Sequence, residues 1–259
     1  MNIKKIWIIG VKDFKTYFIS PIGYLVISSY IFVIGYMFYM RLIFFLNQKM
    51  MSAQYAQYGQ TMDVSLNDAI IKPVYGSMNL IMLFVIPLIT MRLLSEEKKQ
   101  KTMELLLTSP ISHFEIVAGK FLSAMLLIGV TFAFTIAYPV ILYIGGNPDM
   151  GQVFTMYLGL LCVSACYIAI GLFWSSMTEN QIISAVLTFI SLLFMWIIDW
   201  SAQALGSTLG DVTGYLSIIR HFDSFFDGTI NSKDVVYYLS FTFFGLFLSY
   251  LGIESKNWK

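Results

Sequence analysis

Six stretches of the chain run for 19 residues or more without an aspartate, glutamate, lysine or arginine. They are Thr16–Met40, Pro73–Met91, Phe121–Pro148, Met150–Thr178, Asn180–Ile198 and Val235–Ile253. A helix that crosses a bilayer needs about 20 mostly apolar residues, and a charge at its centre is costly. Trimmed at turn residues, the windows predict spans near 22–46, 73–91, 121–144, 152–174, 181–199 and 234–253. Gly145-Gly146-Asn147-Pro148-Asp149 is a tight turn signal, so the third and fourth spans form a hairpin. The windows are continuously apolar rather than alternating, which excludes a β-barrel. The expected fold is an all-α polytopic membrane protein in one transmembrane domain, residues 1–259.

Charge placement orients it. Eleven Lys/Arg fall on one side (Lys4, Lys5, Lys12, Lys15, Arg92, Lys98, Lys99, Lys101, Lys120, Lys256, Lys259) and five on the other (Arg41, Lys49, Lys72, Arg220, Lys233). Positive loops stay inside, so both termini and segment 92–120 are expected in the cytoplasm, and loops 47–72 and 200–233 outside. All six glutamates fall inside and eight of nine aspartates outside; Asp13 is the exception. No cleavable leader is expected, because the first apolar stretch is too long and no small-residue cleavage site precedes it. Residues 1–20 read differently from a span. Ile3, Ile6, Trp7, Phe14 and Phe18 recur at helical spacing with Lys4, Lys5, Lys12 and Lys15 between them. This predicts an amphipathic helix lying in the membrane interface, its lysines reaching lipid headgroups. Ser20-Pro21 ends it.

Segment 92–120 carries most of the remaining charge. Ser95 is the expected cap of a helix with Glu96 and Glu97 in its first turn. Glu97 and Lys101 are spaced as an i,i+4 pair. Leu105, Leu106 and Leu107 give it an apolar tip, and Thr108-Ser109-Pro110 stops it. Ser112 and Glu115 form a capping box for the next helix. The apolar tip docks either on its own bundle or on a partner.

The run Glu97, Thr102, Glu104-Leu105-Leu106, Thr108-Ser109-Pro110 and Gly119-Lys120 resembles the signature of ABC-2 type ABC-transporter permeases. Phe18-Ile19-Ser20-Pro21-Ile22-Gly23-Tyr24, His221-Phe222-Asp223 to Gly228, and Asp234-Val235-Val236-Tyr237-Tyr238 resemble the gliding-motility branch of that family. The resemblance implies a coupling helix that inserts in a cytoplasmic ABC ATPase, with Glu97, Lys98, Thr102, Glu104, Leu105, Leu106 and Pro110 as coupling residues. It implies ATP and Mg bound by that partner and not by this chain, and a second permease chain, identical or related. It implies a bacterial inner-membrane location and export of an amphipathic or envelope-directed cargo. The alternative is a membrane anchor for an ATP-powered envelope or motility complex without transport. Lys101 stands where the family usually has glycine, which predicts a more regular helix there.

The chain lacks a G-x-x-x-x-G-K-[ST] phosphate loop: Phe121 follows Gly119-Lys120. It needs an external source of energy and is not an enzyme alone. The spans hold no mid-membrane acids or bases, which disfavours an ion-coupled carrier, and no cluster of catalytic groups at one depth. Sixteen basic against fifteen acidic residues exclude nucleic-acid binding through bulk charge.

Thr131, Thr135, Ser164, Ser184 and Thr188 are expected to hydrogen-bond between helices. Gly159, Cys162, Cys166 and Ala169 form one small-residue packing stripe, and Gly129, Ala133 and Ala137 another. His221, Asp223 and Asp227 read as the polar edge of an outer interfacial helix, with no metal site. Pro139 is a candidate kink.

Overall fold

A computed structural model of the chain describes residues 2–56, 65–103, 111–204, 210 and 214–255. Among them all regular structure is helical. The first helix, α1 (Ile3–Ile19), begins where the Asn2 side chain accepts from the Lys4 amide. It ends at Ser20, whose extended backbone (φ −87°, ψ 146°) lets Pro21 open α2 (Pro21–Ala56). Proline suits a first helical turn because no N–H is needed there. The reversal is tight: a Cβ on Gly23 would lie 2.5 Å from the Tyr17 carbonyl oxygen.

A π-helical turn, Asn67–Ile71, leads into α3 (Lys72–Thr90), followed by the short α4 (Ser95–Lys99). The third crossing is divided into α5 (His113–Thr135) and α6 (Ala137–Gly145). Pro139 cannot donate to Thr135 and its ring crowds that carbonyl, which accounts for the break at Ile136. Then come α7 (Met150–Met177), α8 (Gln181–Ala204), the one-turn α9 (Asp223–Phe226) and α10 (Ser232–Glu254).

Among the described residues, six helical segments are long and apolar enough to cross a membrane: Pro21–Gln54, Asn67–Lys99, His113–Gly145, Met150–Met177, Gln181–Asp199 and Ser232–Glu254. Each contains the trimmed span expected for it, and most run beyond it, because a helix continues past the bilayer wherever its backbone bonds are still satisfied internally. Asn2 and Ser255 lie at one end of the bundle, here the terminal face. The 145–150 turn marks the opposite, far face.

Spans α3 and α7 are the interior of the bundle; α2, α8 and α10 leave most of their sides open. Phe32, Phe194 and Phe243 point outward, as lipid-facing side chains do. The Gly159/Cys162/Cys166/Ala169 stripe is where α7 receives its neighbours. A Cβ on Gly159 would come 2.6 Å from the Phe222 ring, Cys166 Sγ donates to the Tyr238 carbonyl (3.4 Å), and a Cβ on Gly245 would lie 2.9 Å from that of Ala169. Cys162 is half-buried one turn before Cys166. The second stripe behaves otherwise. Ala133 and Ala137 are exposed, and no neighbouring helix comes within 4 Å of a Cβ built on Gly129. Among the described residues no helix takes it up as a packing face.

The span hydroxyls correct a second expectation. Thr131 and Thr188 bond back to the Leu127 and Ser184 carbonyls of their own helices, and only Thr135 reaches across, to Tyr157 Oη at 3.0 Å. Ser164 and Ser184 hydroxyls are buried without a partner among the described residues. A threonine one turn above a helical carbonyl satisfies itself at less entropic cost than one that must find a second helix.

At the far face, Asn67 stitches the π-turn to the hairpin. It accepts from the Asp149 amide (3.0 Å) and donates to Gln152 Oε1 (2.5 Å). Gln152 in turn donates to the Phe226 carbonyl. His221 is buried here rather than on a polar edge. Its Nδ1 is 2.7 Å from Asp234 Oδ1, its Nε2 is 3.0 Å from the Tyr215 carbonyl, and its ring stacks on Tyr237 at 3.9 Å. Ser224 donates to the other Asp234 oxygen at 2.6 Å. Asp234, at the start of the next span, claims the imidazole that Asp223 and Asp227 were expected to flank. Asp227 instead faces Lys72 at 3.4 Å. The described residues hold no group of three or more potential metal ligands.

Candidate functional site

At the terminal face three helices converge on one lysine. α1 crosses α5 closely because glycine stands on both sides of the crossing. A Cβ on Gly119 would meet Ile9 at 2.7 Å, and one on Gly10 would meet Leu122 at 3.0 Å. This brings Asp13 of α1 to Lys120 of α5, Nζ to Oδ2 3.0 Å. Glu97 of α4 reaches the same ammonium at 2.7 Å. Lys120 is 3 % exposed. A buried cation is tolerated where two carboxylates compensate its lost hydration. The expected Glu97–Lys101 pair does not form, because α4 ends before another turn is complete.

That ending is set at Lys101, whose φ is 56°. Sequence reading anticipates a regular helix through a lysine at this point; the chain instead takes there the left-handed conformation that glycine adopts freely. The Thr102 amide and hydroxyl close the turn by donating to the Glu97 carbonyl, the hydroxyl at 3.3 Å. Ser95 is not the cap. It is already helical, Leu94 occupies the cap position, and Ser95 is turned to α7. Its amide and that of Leu94 donate to Ser175 Oγ at 3.1 and 3.0 Å. Lys98 donates to the Ser176 carbonyl. The α4 helix is thereby pinned to the end of α7 as well as to α5.

The capping box at the start of α5 is formed as its sequence dictates. Ser112 Oγ accepts from the Glu115 amide (3.2 Å), and Glu115 Oε2 accepts from the Ser112 amide (3.1 Å). The other Glu115 oxygen accepts from the amide of Asn2.

Between α1, the end of α3, α4 and the start of α5 lies a cavity of about 720 Å³. Lys12, Asp13, Arg92, Glu96, Glu97 and Lys120 supply its charge, and Tyr17, Ile22, Leu93 and Ile111 its apolar wall. Tyr17 donates to the Ile89 carbonyl at 3.5 Å. Burial, then the nearby Asp13 carboxylate, hold its hydroxyl well above the usual phenol range, so it stays neutral.

The structure thus unites Glu97, Lys98 and Thr102 in one rigid corner. Glu104, Leu105, Leu106 and Pro110 lie outside the described residues. Of the interfacial set, Lys4, Trp7, Lys12 and Lys15 are exposed along α1, and Lys5 is half-buried. Sequence spacing does not pair Asp13 with Lys120, 107 positions away. The available signal is Asp13 itself, the one aspartate on the lysine-rich side.

A family model described as ABC-2 family transporter protein matches residues 7–251. Comparison with curated proteins gives no match.

Proposed function

The chain belongs to the ABC-2 family of transporter proteins, and from that premise we propose that it is the permease of an ATP-driven exporter whose α4 corner receives the motion of a separate cytoplasmic ATPase. As a family member it is a membrane component of an ABC transporter. The finer reading places the terminal face in the cytoplasm of a bacterial inner membrane, with ATP and Mg on the ATPase. It pairs the chain with a second permease, identical or related, and assigns an amphipathic or envelope-directed cargo.

The observation that carries this reading is the Lys120 triad. A push on α4 is delivered through Glu97 to α5 and α1 together, and through Ser95 and Lys98 to α7. A flexible loop would dissipate the same displacement. Segment 104–110, which lies outside the described residues, follows α4 in sequence and holds the leucines we assign to the ATPase cleft.

The test is reconstitution with the ATPase that co-purifies in mild detergent. The permease alone should hydrolyse no ATP. Wild-type chain should change the rate of its partner, and Glu97→Gln should weaken that change while the ATPase still binds. If deletion of residues 2–15 uncouples hydrolysis and Glu97→Gln does not, transmission runs through α1 and the assignment to α4 is wrong.

A further inference from the structure

We propose that the cavity at the terminal face is a binding site for a zwitterionic phospholipid headgroup bearing a primary ammonium, the chemistry of phosphatidylethanolamine. Its volume, about 720 Å³, lies within the range of small-molecule pockets. Its charge is mixed rather than of one sign. Lys12 and Arg92 offer donors for a phosphate, and Glu96 and Glu97 offer acceptors for an ammonium. Two of these side chains are left incomplete by the protein. Glu97 gives Oε1 to Lys120, whereas its Oε2, and Arg92 Nε, are buried without a partner among the described residues. One unused acceptor and one unused donor of opposite charge are what a zwitterion completes, after a small rotation of each terminal group. A guanidinium pairs with phosphate through directed, charge-assisted bonds.

The location selects a lipid over a soluble zwitterion. Ser20 and Ile22 line the cavity at the joint where the amphipathic α1 becomes the span α2, which is headgroup depth. Tyr24 and Leu25, just beyond the joint, are exposed on the lipid-facing side, placed to run beside acyl chains. The site involves no ATPase, so it can be read separately from the coupling proposal.

The experiment is native mass spectrometry of the purified full chain, released from detergent micelles doped with equal amounts of phosphatidylethanolamine, phosphatidylcholine and phosphatidylglycerol. Phosphatidylcholine keeps the phosphate but its trimethylammonium donates no hydrogen bond. Phosphatidylglycerol has no cation. Retention of phosphatidylethanolamine should exceed both by about tenfold, the size of one charge-assisted bond. Arg92→Gln should lower that retention by a similar factor, and Glu97→Gln should erase the preference over phosphatidylcholine. Arg92→Gln leaves the Lys120 triad whole, so its result stands even where Glu97→Gln fails to fold. Equal retention of the three lipids, or a preference unchanged in Arg92→Gln, overturns the proposal. Displacement of the lipid by millimolar phosphoethanolamine also overturns it, by assigning the pocket to a soluble ligand.

Discussion

The backbone amide of Asn2 donates to Oε1 of Glu115 at 2.7 Å, across 113 positions of sequence. Glu115 therefore serves two helix N-termini at once, since its second oxygen completes the capping box of α5. Replacement by alanine should loosen both helices. In detergent, Glu115→Ala should melt several degrees below wild type, and Glu115→Gln, which keeps one acceptor, should fall between them. An unchanged melting temperature in both would remove the double-cap role.

Lys120→Met should be far more damaging than its conservative volume suggests. It leaves Asp13 and Glu97 facing each other with no cation, at a cost of about 3–5 kcal/mol. Neutralising all three, as Lys120→Met with Asp13→Asn and Glu97→Gln, should recover much of that loss. Chemical unfolding monitored by tryptophan fluorescence would show it; a triple variant no better than the single one contradicts the account.

The two small-residue stripes should respond oppositely to bulk. Gly245→Leu forces a side chain against Ala169 and should cost about 1–3 kcal/mol by overpacking. Gly129→Leu enters open space and should leave the purified monomer's melting curve in place. A difference between them in a thermal-shift assay is the expected result.

On the far face, His221 Nδ1 lies at hydrogen-bond distance from Asp234 Oδ1 and Nε2 from the Tyr215 carbonyl. Asp234→Asn should destabilise by about 1–3 kcal/mol, because an amide cannot accept from His221 and Ser224 as a carboxylate does. Limited proteolysis should then cut near residues 214–224 sooner than in wild type.

Topology is directly testable in a chain with Cys162 and Cys166 replaced by alanine. A cysteine at Ser232 should react with an impermeant maleimide on intact spheroplasts, and one at Gln100 only after lysis. The reverse pattern would invert the bundle and remove the coupling assignment.

The spans and the Ser112/Glu115 box are legible in the sequence because their causes are local. Dehydrating a charge is costly wherever it stands, and a capping box closes within four residues. The Lys120 triad is not legible, since its partners lie 107 and 23 residues away and their meeting depends on the Gly10–Gly119 crossing. Spacing shows that a small-residue face permits close packing, but not which neighbour takes it up; that is why α7's stripe is filled and the Gly129 stripe is not. Lys101 misleads for a related reason. Lysine favours helix, yet the Thr102 amide and hydroxyl both donate to the Glu97 carbonyl and close the turn at Lys101.

The anchoring of α1 also sets an order of events in biosynthesis. Its contacts with α5 run through Glu115, Gly119, Lys120 and Leu122. Made before α5, α1 thus has no α5 to dock on until about a hundred further residues are synthesised. At typical elongation speeds that wait is roughly 5–20 s. During it, the amphipathic face of α1 has only lipid or a chaperone to rest on while the first two spans are inserted. The arrival of residue 120 is then a checkpoint, after which α1 can lock onto α5 while the remaining spans are still to come.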